Sequence, residues 1–255
     1  IFEHCSGETE IVSNKMSKNT IRNNLFFESR GTLSLRHGNG SEIYGNYFIG
    51  NDMKDAGGIR IIGESHLVYN NYLQGIATTG QTCAISVLDG VPNSEPSGYF
   101  QVKNAKIVGN TMVNCAQAFD IGAGKGGNGR TVPPANCTIA NNLIQSKGGI
   151  AIAYTDQPQN FFYEGNLAYG MGGGQTLALP TGMQLTDPKL SLAELNTYSP
   201  ATGSPAFGGF KGTYSFFQSN NVGANALDEL HRSLLKAIDI GPARMALGAA
   251  IIIKN

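Results

Sequence analysis

The sequence predicts an all-β chain wound as a right-handed parallel β-helix, a β-solenoid with a short helix near its C-terminus. Two observations carry that prediction. The first is an internal repeat, apolar-x-x-Asn-x-apolar, in IRNNLF (21–26), IYGNYF (43–48), VYNNYL (68–73), IVGNTM (107–112), IANNLI (139–144) and FYEGNL (162–167). Its asparagines are Asn24, Asn46, Asn71, Asn110, Asn142 and Asn166, at successive steps of 22, 25, 39, 32 and 24. The shorter steps match one coil of such a helix, and the longer ones leave room for loops at about 89–101 and 122–135. The second is strict alternation in TLSLRH, GIRII, AISVL, AFDIG and IAIAY. It turns Leu33, Leu35, Ile59, Ile61, Ile85, Val87, Phe119, Ile121, Ile150 and Ile152 inward, and Ser34, Arg36, Arg60, Ser86, Asp120 and Ala153 outward. A single coil cannot bury its apolar face alone, so stacking makes the core. Asparagine tolerates left-handed backbone and its amide bonds nearby backbone groups, so the six are expected to form a hydrogen-bonded ladder at a bend.

Taken in order, the chain opens on a charged stretch. Glu8 and Glu10 stand at i and i+2, which in a strand puts both on one face. Lys15, Arg36 and Arg60 follow at steps of 21 and 24, with His37 beside Arg36. Those steps predict three cations stacked next to an acidic pair, an arrangement suited to an acidic polymer. His66 precedes a turn and suits either a binding contact or strand packing, whereas His4 and His231 are expected to be structural. The run GAGKGGNGR (122–130) is not a phosphate loop, because Lys125 is followed by Gly rather than Ser or Thr. Its Lys125 and Arg130 at most touch a polyanion. From about residue 170 the repeat fades into Pro- and Gly-punctuated loops. LDELHRSLLKAI (227–238) has apolar residues at helical spacing and is expected to cover the edge of the last coil. The division expected is a β-helix domain over 1–245 and an apolar tail over 246–255, the tail being an added edge strand or a contact to another chain.

Composition narrows the partners. Lysine plus arginine and aspartate plus glutamate number 18 each, and only 14% of residues are charged. That argues against nucleic-acid or membrane binding by bulk electrostatics, and no apolar run reaches the length of a membrane span. With 34 glycines and no tryptophan, the chain suits short strands and tight turns. Cys5, Cys83, Cys115 and Cys137 form no CxxC pair. Cys115 and Cys137 are separated by about one coil of sequence and stack either as small core residues or as a disulfide.

The motif Glu8-x-Glu10-x4-Lys15, followed one coil later by Arg36-His37, resembles polysaccharide lyase family 6, which contains the alginate lyases and chondroitinase B. FEHCSGETEIVSNKMSKNTIRNN, GTLSLRHGNGSEIYGNYFIGN and GGIRIIGESHLVYNNYLQG look like three consecutive stretches of its catalytic β-helix, and DIGP at 239–242 is similar to the end of one. The likeness covers roughly residues 1–170 well and implies a secreted or periplasmic bacterial enzyme. It also implies calcium held by Glu8, Glu10 and an asparagine further upstream that has no counterpart here, with the family's N-terminal coils missing from this chain. By the same resemblance Lys15 is the base, Arg36 the catalytic arginine, and His37 and Arg60 line sugar subsites; His66 is a candidate substrate contact on its own position before a turn. A homodimer covering the open first coil, or the apolar tail, is a further expectation.

The implied chemistry suits these residue types. Elimination from a uronate removes the C5 proton, alpha to a carboxylate, and expels the 4-linked oxygen. Negative charge grows beside an existing charge, so hard cations and arginines favour the step. Lysine serves as a base near neutrality only where neighbouring positive charge disfavours its protonated form, as Arg36 and Arg60 would. Alginate is the expected substrate. Dermatan or chondroitin sulfate is the alternative within the class, and a non-catalytic carbohydrate-binding solenoid the alternative outside it. A glycoside hydrolase would need paired acids, and Asp120 has no outward acidic partner in the sequence.

Overall fold

The computed structural model describes residues 1–172, 179–225 and 229–238. Within them the chain winds through three parallel sheets. The first full coil runs through Glu10–Asn14, Thr20–Arg22 and Leu25–Phe27. The sixth runs through Ile150–Tyr154, Phe162–Glu164 and Asn166–Tyr169. Each coil adds one strand to each sheet, and one sheet gains Phe2–Glu3 and Met183–Leu185 at its two ends. The parallel β-helix expected from the sequence is the fold. Among the described residues no helix is long and apolar enough to cross a membrane.

Register explains the core. In the sheet beginning with Glu10–Asn14, the side chains of Val12, Leu33, Ile59, Ile85, Phe119 and Ile152 fall in one column. Those from Leu33 onward are buried. Phe2, Phe26 and Phe48 stack face to face in another sheet, with ring centroids 4.6 and 4.5 Å apart. Each fully buried side chain of this size contributes about 1.5–3 kcal/mol of transfer free energy, and only coil-on-coil stacking removes it from water. Cys83, Cys115 and Cys137 lie in this core and all four cysteines are free, so the disulfide alternative falls away. Burial pushes the Cys115 and Cys137 thiols up to about 12, which leaves them protonated.

The asparagine ladder stands at the bend between the second and third strands of each coil. Asn24 Nδ2 donates to Asn46 Oδ1 at 3.0 Å, and the same bond links Asn46 to Asn71, Asn71 to Asn110, Asn110 to Asn142 and Asn142 to Asn166. Each of these Oδ1 atoms also accepts the backbone N–H of the coil before it. The left-handed backbone sits one residue earlier, at Asn23, Gly45, Asn70, Gly109, Asn141 and Gly165. Asparagine and glycine are the residues that adopt it at least cost. The ladder asparagine is therefore the bond-maker and its predecessor makes the corner.

The C-terminal segment departs from expectation. Helix Glu229–Ile238 does not cap the last coil. Its Leu235 and Leu234 pack with Leu25, Phe27, Tyr47 and Tyr72 on the outer face of the eight-stranded sheet, near the first coils. That face carries large apolar side chains outward as well as inward, so it is the surface most in need of cover. The DIGP segment at 239–242 and the tail at 246–255 lie outside the described residues, as does the side chain of His231.

Candidate active site

The site is built on the sheet of Glu10–Asn14, Gly31–Leu35, Ala56–Ile61, Ile85–Leu88, Gln117–Ala123 and Ile150–Tyr154. Asn14 pairs with Leu35, and the Asn14 carbonyl accepts the N–H groups of both Arg36 (2.8 Å) and His37 (3.0 Å). Lys15 and Arg36, the residues that follow that pair, therefore lie side by side where the strands end. Lys15 is exposed, while Arg36 and His37 are half-buried.

Arg60 does not continue that stack. Its register partner is Ser34, two residues before Arg36, so the column reads Ser13, Ser34, Arg60, Ser86, Asp120, Ala153. The coil step here runs from Ser34 to Arg60 and is longer than the step from Arg36 to Arg60, so the two arginines are offset diagonally. Arg60 is buried and its Nη1 lies 3.3 Å from Glu10 Oε1.

The acidic pair also differs from expectation. Glu10 opens the strand, but Glu8 sits in an exposed bend before it. The register shifts between Glu10 and Val12, so strand alternation does not govern the two glutamates. Calcium takes about six to eight oxygen ligands. Among the described residues no group of three or more His, Cys, Asp or Glu side chains is placed to hold a metal ion, and Glu10 already faces Arg60. Glu8 and Glu10 alone supply fewer oxygen ligands than calcium takes.

His66 leaves the groove altogether. It has no exposed surface; its Nδ1 accepts the Ser41 N–H at 3.1 Å, and its Nε2 lies 2.9 Å from the Ile62 carbonyl. With Nδ1 as acceptor, Nε2 carries the proton. Burial lowers its pKa, so it is a neutral core histidine that braces a bend.

The main feature that sequence reading missed is Tyr99. Its ring lies 4.1 Å from Arg36 Cζ, 4.8 Å from Arg130 Cζ and 5.8 Å from Arg60 Cζ. Arg60 Nη2 donates to the Tyr99 hydroxyl at 3.3 Å, and Arg36 Nη1 donates to the Gly98 carbonyl at 3.0 Å. Arg130, also buried, donates to Gln81 Oε1 at 2.9 Å and to the Gly127 carbonyl at 2.8 Å. The two loops predicted from the long asparagine steps thus supply a roof over the arginines. The spacing shows that loops exist there; nothing local in a lone tyrosine or a glycine-rich run shows where they fold.

Electrostatics favour an uncharged His37. Burial lowers its pKa first, then the charges of Arg36 and Lys15; the Gly98 carbonyl and Glu10 oppose them. The site therefore brings a lysine, an arginine and a neutral imidazole around one opening, with a second arginine buried beside them; the guanidinium can grip a carboxylate, and the amine in its unprotonated form can take a proton from beside it.

A model of the chondroitinase B family matches residues 1–149. Among solved structures, the polysaccharide lyase family 6 alginate lyase AlyGC is 36% identical, with a TM-score of 0.72 over 79% of this chain and 28% of that one. A mannuronic acid specific family 6 lyase from human gut microbiota is 31% identical, with a TM-score of 0.59 over 71% of this chain and 41% of that one. The family 6 polysaccharide lyase Pedsa3628 from Pseudopedobacter saltans is 26% identical, with a TM-score of 0.54 over 63% of this chain and 44% of that one. The chain thus spans less than half the length of each of these proteins. A search of curated proteins gave no match.

Proposed function

Because the chain belongs to polysaccharide lyase family 6, the family of chondroitinase B, we propose that it cleaves a uronate-containing acidic polysaccharide, most readily alginate, by β-elimination. The observation that carries this reading is the pairing of Asn14 with Leu35, which brings Lys15 beside Arg36 and His37 at the mouth of the groove.

In the proposed reaction the sugar carboxylate lies against Arg36. Gly98 takes one of that guanidinium's five N–H groups, and those remaining can hold a carboxylate in a two-point grip. Arg60, with His37 nearby, adds a positive wall. Lys15 Nζ, unprotonated, takes the C5 proton on its lone pair; the electron pair of the C5–H bond forms the C4–C5 double bond; the C4–O bond breaks and its pair leaves with the oxygen. The leaving oxygen takes its proton on the Arg36 side, from a water or through His37, with Arg36 as the carboxylate-stabilising group that assists this transfer. Charge placed where the transition state becomes negative is usually the largest catalytic contribution.

The double bond conjugated to the carboxylate absorbs in the ultraviolet, and that absorbance is the assay. Protein incubated with alginate is expected to raise it, and Lys15→Ala to slow the rise by about 10²–10⁴-fold, the range for removing a general base. Unchanged turnover in Lys15→Ala would refute the base assignment. Dermatan and chondroitin sulfate belong in the same assay, since the matching family model bears the name of chondroitinase B.

Calcium at Glu8 and Glu10 is a separate part of the proposal, resting on the resemblance alone. Calorimetric titration with calcium chloride tests it: heat that disappears in Glu8→Gln and Glu10→Gln supports the site, and no heat in the unaltered protein rejects it. Secretion to the periplasm or medium is likewise proposed from the family.

A further inference from the structure

Asp89 follows strand Ile85–Leu88 and is completely buried, yet neither of its carboxyl oxygens has a hydrogen-bond partner. The side chain facing it is another carboxyl, Asp156. Asp156 is held by Lys125 Nζ at 2.7 Å and by the Gln157 N–H at 2.8 Å. Two ionised carboxylates are acceptors only and repel; one proton between them turns the same contact into an O–H···O⁻ bond.

Asp89 also stands where two loops are rooted. Its N–H donates to the Ala123 carbonyl at 3.2 Å. The next residue, Gly90, exchanges hydrogen bonds with Val132 at 2.8 and 3.0 Å, and Val91 N–H donates to the Tyr99 carbonyl at 2.8 Å. The Arg130 guanidinium lies on Gly124, where a Cβ would come within 2.6 Å of its Cζ. One end of this assembly is the Asp89–Asp156 contact; the other is the ring of Tyr99 against Arg36 and Arg60.

We propose that Asp89 and Asp156 share a single proton as an acid–carboxylate pair with its acid member buried, and that the pair is a positioning device that fixes the root of the loops carrying Tyr99 and Arg130 over the groove. The proton resides on Asp89. Burial, then the Asp156 charge, raise its pKa to about 7, against Lys125 and Arg130, while Lys125 holds Asp156 below its ordinary value. These are the charged groups that face Asp89, from the strand end at Asp156 and from the loop of Lys125 and Arg130. Loss of the proton leaves two like charges against one ammonium and loosens the root, so the roof of the groove is best ordered in the acid form.

The inference rests on the lyase reading only for its activity measurement. The variant is Asp89→Asn, whose amide donates to Asp156 at every pH. Carboxyl-carbon NMR of protein labelled at aspartate is expected to show one group titrating far above the usual carboxylate range, missing in the variant. Between about pH 4 and 7 the folded chain holds a proton that the unfolded chain has released, so wild-type stability falls with pH in that window. Asp89→Asn is therefore expected to raise Tm at about pH 8 and to leave it little changed at about pH 4.5. It is also expected to abolish a several-fold rise in KM for alginate between those conditions, with kcat little affected. No high-titrating aspartate, or an equal Tm shift at both pH values, would overturn the pair. A KM with the same pH dependence in variant and wild type would overturn its link to the groove. If the unaltered protein forms no product, the lyase reading fails, and the NMR and Tm results still decide the pair.

Discussion

Three guanidinium groups share the ring of Tyr99, and that arrangement has a measurable worth. A cation over an aromatic face contributes about 0.5–1 kcal/mol at exposed sites and about 2 where water is excluded. Tyr99→Phe keeps the ring and loses only the bond from Arg60 Nη2. It is expected to bind oligosaccharide nearly as well as the unaltered protein. Tyr99→Ala leaves Arg36, Arg60 and Arg130 facing one another across a gap, and is expected to weaken binding about tenfold or more, from about 1.4 kcal/mol for each factor of ten. Calorimetry with an unsaturated trimer measures both; equal affinities in the two variants would count against the ring. His37 makes a second prediction at this scale. Its lowered pKa means that the unfolded chain binds a proton which the folded chain has released. Stability is thus expected to rise with pH across the window that ends near the ordinary value of about 6.5. An imidazole NMR titration with its midpoint above that value would contradict this.

Among the elements, the ladder is where sequence and structure agree most closely, because every rung repeats one bond at one bend. Asn110 is fully buried and its amide bonds Asn142 Oδ1 and the Val68 carbonyl, both at 3.0 Å. Asn110→Ala removes these bonds and strands the Asn71 backbone N–H, which donates to Asn110 Oδ1 at 3.0 Å, and is expected to cost about 3 kcal/mol, at about 1–3 for a buried group stranded. Asn24, half-buried at the first rung, is expected to cost about 1 kcal/mol. Chemical denaturation measures the pair, and equal losses would deny the ladder its burial dependence. The site strands were less legible than the ladder. Lys15 and Arg36 lie one coil apart as their spacing implied, but Arg36 and Arg60 do not. A register shift between Gly31 and Leu33 lengthens the next coil, and counting from charge to charge passes over it. Glu8 misleads for a related reason, because an i, i+2 rule holds only inside a strand.

For the molecule as a whole, local periodicity is legible and long-range docking is not. The inward columns, the coil count and the position of the two long loops follow from patterns repeated within a coil or so of sequence. Tyr99 reaches Arg36 from a later coil, across register, bends and loop, and the helix Glu229–Ile238 returns to the first coils rather than the last. Both outcomes depend on which surface was left apolar or charged after the coils had stacked. His66, one of the two histidines in the site region, was withdrawn into the core by the same logic, since a buried bend needed an acceptor and a donor at once.

The row of asparagine amides has a direction. From Asn24 to Asn166 each NH2 points toward the later coil and each oxygen toward the earlier one. The solenoid is polar along its axis, like a filament with unlike ends. Past Asn166 the row closes on an acceptor, the Gly182 carbonyl at 3.3 Å. At the other end, any coil set ahead of Asn24 must offer the row a donor. Two copies meeting first coil to first coil would bring oxygen against oxygen there, whereas a neighbour presenting an amide N–H would carry the row onward.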